Sequence, residues 1–199
     1  MSAVKNERVR ARREIHLRSP ADLLAEVDRI QASASAGSVR VSGNWTAAQA
    51  LQHLAKFIEY SFDGFPFRYP WPYRVAVWLI RKLSWRRLLQ LTFRPGFTNP
   101  PVARAVEPDA AVTLEHAGQS LRRQVRRILD GERMVQRSPT GEPMSHEQWI
   151  ECHLRHAELH LSFLHLEPDV PADPVAAPDR DGAGAWDSKS MPDLPQDHH

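Results

Sequence analysis

Residues 144–164 read Met144-Ser-His-Glu-Gln-Trp-Ile-Glu-Cys-His-Leu-Arg-His-Ala-Glu-Leu-His-Leu-Ser-Phe-Leu164. Ser145 followed by Gln148 forms a capping-box pattern, in which hydroxyl and amide each satisfy a backbone N–H that the first turn leaves unpaired, so a helix is expected to start here. At about 100° per residue, Trp149, Cys152, His153, His156, His160 and Phe163 share one side, and Glu147, Glu151, Arg155, Glu158 and Ser162 share the other. The histidines therefore sit in the apolar stripe and the acids on the side expected to be wet. His156 and His160 are four apart, which stacks their rings one turn above each other and lets both reach a single metal ion. A lone buried histidine commonly packs and donates to a carbonyl. Three on one dry stripe each need a partner of their own. The run His156-Ala-Glu-Leu-His160 is not the zinc-protease pattern, because its acid, Glu158, points away from the pair.

The other elements follow from caps and breakers. Ser19-Pro20 opens a first helix with Leu23, Leu24, Val27 and Ile30 on its apolar face, and the small-residue run at 33–38 ends it. Thr46 with Gln49 opens a second, with Ala47, Leu51, Leu54, Ile58 and Phe62 facing a core and Gly64-Phe-Pro66 stopping it. His53 lies at the margin of that stripe, beside Ala50 and Phe57. A further helix, apolar nearly all round, is expected over 73–91, with Arg74, Arg81, Lys82, Arg86 and Arg87 interspersed. It is read as packed over the bundle with snorkelling arginines in preference to lying on lipid. The next begins near Pro108-Asp109, buries Val112, Leu121, Val125 and Ile128, and ends at Asp130-Gly131. Its Arg122, Arg123, Arg126 and Arg127 are read as a solvated face. No run combines alternation with β-branched residues, so no strand is expected.

The chain thus reads as all-α: a charged exposed arm over 1–18, a helical bundle over 19–166, and a disordered acidic and proline-rich tail over 167–199. A chain of 199 residues with 42% hydrophobic and 25% charged content can bury one core, and a net charge of +2 gives little footing for nucleic acid. The single cysteine, Cys152, excludes an internal disulfide and fits a reducing compartment, and no apolar run follows the opening residues, so a cytoplasmic protein is expected.

The stretch Gly43-Asn-Trp45-Thr-Ala-Ala-Gln49-Ala-Leu-Gln-His53-Leu-Ala55, the exit Ser61-Phe-Asp63-Gly64-Phe-Pro66 and the closing Trp149 to Phe163 together resemble the DinB/YfiT-like superfamily of metal-binding four-helix bundles, closest to an uncharacterised branch of it. The likeness covers about residues 12–166. It implies a DinB-like four-helix bundle with an extra helix between the second and third, and a ligand set of His53, His156 and His160 for a divalent transition metal such as Zn, Ni or Fe. His153, Trp149, Cys152 and Phe57 are then expected to pack around those ligands.

A three-imidazole set leaves coordination positions open, where such an ion can lower the pKa of water or of a thiol. Relatives in the superfamily include transferases and isomerases dependent on small thiols, which implies a thiol-dependent transferase or a hydrolase acting on small molecules. Asp63, Glu115 and His116 are the candidate bases. The alternative is a non-catalytic metal-stabilised bundle that binds a partner subunit or membrane surface through residues 73–91. A small-molecule substrate and a second copy of the chain are the partners considered. Nucleic acid is not expected, and a membrane surface is disfavoured.

Overall fold

The structure, a computed structural model, describes residues 12–93 and 101–166. The acidic, proline-rich stretch from 167 onward, residues 1–11 of the N-terminal arm and most of the loop after Phe93 lie outside the described residues. Four helices of 16 or 17 residues carry the core: α1 (Pro20–Ser35), α2 (Ala47–Asp63), α5 (Leu114–Leu129) and α6 (His146–Leu161). Between α2 and α5 come α3 (Trp71–Leu83), α4 (Trp85–Thr92) and a short 3-10 segment, Pro101–Val106. The protein is predominantly helical.

Each long helix starts where its side chains can repay the orphaned first-turn N–H groups. Ser19 with Asp22, Thr46 with Gln49 and Ser145 with Gln148 all form reciprocal capping boxes, and Thr113 caps α5 by accepting from the His116 N–H. Gly64, at φ +105°, ends α2 in a conformation that a side chain would strain. The buried faces then converge. Val27 and Ile30 of α1, Leu51 and Leu54 of α2, Leu121 and Val125 of α5, and Trp149 and Leu161 of α6 fill one apolar cluster. Arg127 ties two helix ends together, pairing with Asp63 and Glu132 while lying 4.1 Å over the Phe62 ring.

Several expectations need correction. Two short strands exist, β1 (Val39–Val41) and β2 (Leu164–Leu166), paired antiparallel with Arg40 opposite His165. Each is three residues long, too short for alternation to show, yet Leu164 and Leu166 turn inward and His165 outward to Ser42. The helix expected over 73–91 is two: Ser84 takes an extended backbone (φ −169°, ψ 124°), and its hydroxyl caps α4 by accepting from the Arg87 N–H. Nor is α3 packed over the bundle as expected, for none of its residues is buried. The fifth helix starts at Leu114, not near Pro108, because Asp109 is held by Gln52 and Thr113 supplies the cap.

Residues 12–18 are also not a free arm. Leu17 is buried, its N–H donates to the Glu158 carboxylate (2.7 Å), and Arg155 donates to the Leu17 carbonyl (2.6 Å). The C-terminal half of the side of α6 expected to be wet, Arg155, Glu158 and Ser162, therefore meets this segment, and Ser162 is buried, while Glu147 at the other end stays exposed. Arg13 reinforces the seam through an ion pair with the buried Glu26 of α1.

Candidate metal centre

His53 stands two turns into α2, and His156 and His160 stand on the inward side of α6. The packing of α2 against α6 brings the three rings together. The Nε2 atoms of His53 and His156 are 3.1 Å apart, and those of His156 and His160 are 2.9 Å apart. Among the described residues no carboxylate or thiol joins this cluster. His53 and His156 are buried, while His160 is half-buried.

The tautomers follow from the partners. His53 Nδ1–H donates to the Val106 carbonyl at 2.6 Å, so its Nε2 must present a lone pair toward the other two rings. His156 Nε2 meets two ring nitrogens at once and can give a proton to only one of them, and its buried Nδ1 has no partner. A protonated ring does not relieve this crowding, because burial pushes all three histidines below the ordinary range. His53 falls to about 4, chiefly by desolvation and against the help of Val106; His156 and His160 fall well below, first by desolvation, then His156 by His160 and His53, and His160 by His53. Three nitrogen lone pairs aimed at one point suit a cation. Ligand nitrogens ~2.1 Å from one ion lie ~3.0 Å apart at a right angle and ~3.4 Å apart at the tetrahedral angle. The donor set therefore fits a divalent transition metal.

Around the cluster stand aromatic rings. Trp45 stacks on His160 (5.0 Å, 20°) and tilts toward His53 (4.7 Å). Phe93 stacks on His156 (4.9 Å, 24°), and Phe57 meets the same ring edge-on at 4.7 Å. Trp45, Phe57, Phe93 and His160 are all half-buried, which marks where the site meets solvent. Gly43 lets the chain deliver Trp45: a Cβ there would stand 3.1 Å from Phe163 Cβ.

Of the residues expected to surround the ligands, Phe57 touches one directly. His153 and Trp149 pack a turn away, their rings stacked at 5.3 Å. Ser61 donates to the Ile58 carbonyl (2.6 Å), so its hydroxyl accepts from His153 Nε2–H (3.0 Å), which fixes His153 as a neutral packing residue whose pKa burial lowers to about 3. Cys152 is buried, and desolvation followed by Glu151 pushes its thiol up to about 12, so it is no nucleophile. None of the candidate bases joins the site. Asp63 is held by Arg127, Glu115 accepts from Gln119, and both they and His116 are exposed. Glu158 is occupied by Leu17 and Arg155.

Sequence reasoning missed Trp45 and Phe93 as walls, and it missed the Val106 carbonyl. The segment carrying that carbonyl is latched to α2 from the residues flanking His53. Gln52 donates to the Asp109 carboxylate (2.6 Å) and accepts from the Asp109 N–H (2.7 Å), and Lys56 donates to the Glu107 carbonyl (2.8 Å). The signal available was the placing of Gln52 and Lys56 at one and three residues from His53. Their partner is more than fifty residues away, where no periodicity announces it.

A family model described as "Protein of unknown function (DUF1569)" matches residues 10–167. No curated protein and no solved structure matches the chain significantly.

Proposed function

The chain belongs to the DUF1569 family of proteins of unknown function, and from the site that it carries we propose a metal-dependent enzyme acting on small molecules, with thiol transfer as its reaction class. The observation that carries this reading is the convergence of three Nε2 atoms with one tautomer preset by Val106. The likeness of the Gly43–Ala55 and Trp149–Phe163 stretches to the DinB/YfiT-like bundles supports the same reading, as does the packing of four long helices around one core. Zn, Ni and Fe are among the ions whose chemistry suits three imidazoles.

Because all three donors are neutral, an ion bound there keeps its full charge in a poorly hydrated pocket, where it stabilises an anionic sulfur or oxygen. The chain's own part is to hold the donors still and to limit water. Val106 orients His53, while Trp45, Phe57 and Phe93 wall the rings. Among the described residues no carboxylate stands in the cluster to take a proton. That favours a substrate already acidic, and a thiol with pKa ~8.5 needs far less help than water at ~15.7. Thiol transfer is thus preferred over hydrolysis.

Elemental analysis of protein purified without added metal should find one transition metal per chain, lost in His156→Ala. Cobalt-substituted protein should change its visible absorption when a small thiol is added, and the thiol should be consumed in the presence of an electrophile. A cobalt spectrum that no thiol moves would mark a purely structural ion and overturn the proposal.

A further inference from the structure

Helix α3 is mounted the wrong way round for a helix in water. Its polar edge faces the protein: Arg74 donates to the Thr140 carbonyl (3.0 Å), and Arg81 donates to the Pro143 carbonyl (2.6 Å) and to Gln148 (3.3 Å). Its apolar edge faces out. At about 100° per residue, Trp71, Val75, Trp78, Leu79 and Leu83 share one side, and all five are exposed, Trp71 and Leu83 to 73% and 77%. Lys82 rises within that side, its Nζ 5.8 Å from the Trp78 ring. Isolated exposed leucines are ordinary, but a contiguous patch with two tryptophans marks a surface that something covers.

Charge identifies what covers it. From Gly64 to Val106 the sequence carries seven arginines and one lysine, and neither aspartate nor glutamate. A second copy docked by a two-fold axis would set Lys82 and its neighbours against their own duplicates, which costs energy in a desolvated interface. An anionic surface with an apolar interior complements both features. Tryptophan seats at the boundary of such a surface, and lysine reaches from an apolar face to its headgroups. The length agrees: 13 residues make a helix about 20 Å long, short of the ~30 Å hydrocarbon core, and among the described residues no helix is long and apolar enough to cross a membrane.

We propose that the outward face of α3 docks the protein onto an anionic lipid bilayer, with the helix lying in the interface plane. The sequence alone favours a helix packed over the bundle with snorkelling arginines in preference to one lying on lipid. Arg74 and Arg81 are instead fastened to residues 140–148 and belong to the edge that grips the protein, which leaves the apolar edge free to meet lipid. The site on α2 and α6 plays no part in this contact.

The test is flotation of the full chain with vesicles of phosphatidylcholine alone and of phosphatidylcholine mixed equally with phosphatidylserine. Binding is expected to the mixed vesicles only and to weaken as salt is added. Lys82→Gln should weaken it about five-fold. Trp71→Ser with Leu79→Ser and Leu83→Ser should abolish it without changing the circular dichroism, since all three side chains are exposed and none belongs to the core. Equal binding to both vesicle types, no binding to either, or salt-insensitive binding overturns the proposal. So does a concentration-dependent dimer, seen by sedimentation and broken by the triple variant, in a protein that does not float.

Discussion

Replacing His156 by alanine separates a ligand from a packing residue. In metal-free protein the substitution removes a ring wedged between Phe93 and Phe57, and the cavity costs about 2 to 4 kcal/mol. Part of that returns, because the ring also carries a buried Nδ1 without a partner, whose desolvation costs about 1 to 3 kcal/mol. The net loss without metal should be small, about 1 kcal/mol. With metal the two proteins diverge. At a free ion concentration a hundred times its Kd, binding stabilises the native protein by about 2.7 kcal/mol. For a chain of this size that raises the midpoint by about 5 to 11 °C. Losing the central donor should cut affinity at least about 100-fold, so at the same concentration the variant gains only about 0.4 kcal/mol, a shift of about 1 °C. Differential scanning calorimetry of chelator-treated protein, with and without Zn, Ni or Fe, reads both numbers. His153→Ala serves as the control: it should lower the midpoint without metal but keep the metal-induced shift. Equal shifts in native protein and His156→Ala, or no shift in native protein with any of the ions, would refute the reasoning.

Acid should unfold the metal-free protein early. His53 titrates at about 4 when folded and 6.5 when unfolded, so between these values the unfolded chain binds more protons. Stability is full above pH ~6.5 and falls toward pH ~4, by about 3 kcal/mol from this residue alone. His153 acts in the same direction, and urea denaturation midpoints that do not move between neutral and mildly acidic buffer would contradict it. Gln52→Ala should release the Asp109 latch and with it the Val106 carbonyl, weakening metal binding about 10- to 100-fold, as read by competition with a chromophoric chelator; unchanged affinity would mean that His53 is oriented without the latch. Leu17→Ala should cost about 2 to 5 kcal/mol in denaturant titrations because the side chain is buried, whereas a free arm would give a value near zero.

What could be read in advance was whatever depends on neighbours in sequence. The capping boxes at Thr46 and Ser145, the Ser19 cap, the Gly64 stop and the inward stripe of α6 each involve residues within a turn or two of one another, so local physics settles them. The pair His156 and His160 belongs to the same class, since a spacing of four fixes its geometry on any helix. His53 was harder. It lay at the margin of its own stripe, and its burial came from a segment, Pro101–Val106, that the sequence did not mark as an element. The failures share that cause. Residues 12–18 carry charges that look solvated, yet those charges are what fasten them: Arg12 donates to Ser162, Arg13 pairs with Glu26, and Glu158 receives the Leu17 N–H. Charged side chains reach across long separations by partner and not by period, so a pattern-based reading assigns them to water by default. The same blindness explains α3. In the sequence the stretch is apolar nearly all round with arginines interspersed, Trp78 and Trp85 sharing a face with Arg74 and Arg81, so no side of it is marked as wet. Because the carbonyls of Thr140 and Pro143 hold Arg74 and Arg81 against the protein, the side carrying Trp71, Trp78, Leu79 and Leu83 is the one left facing out.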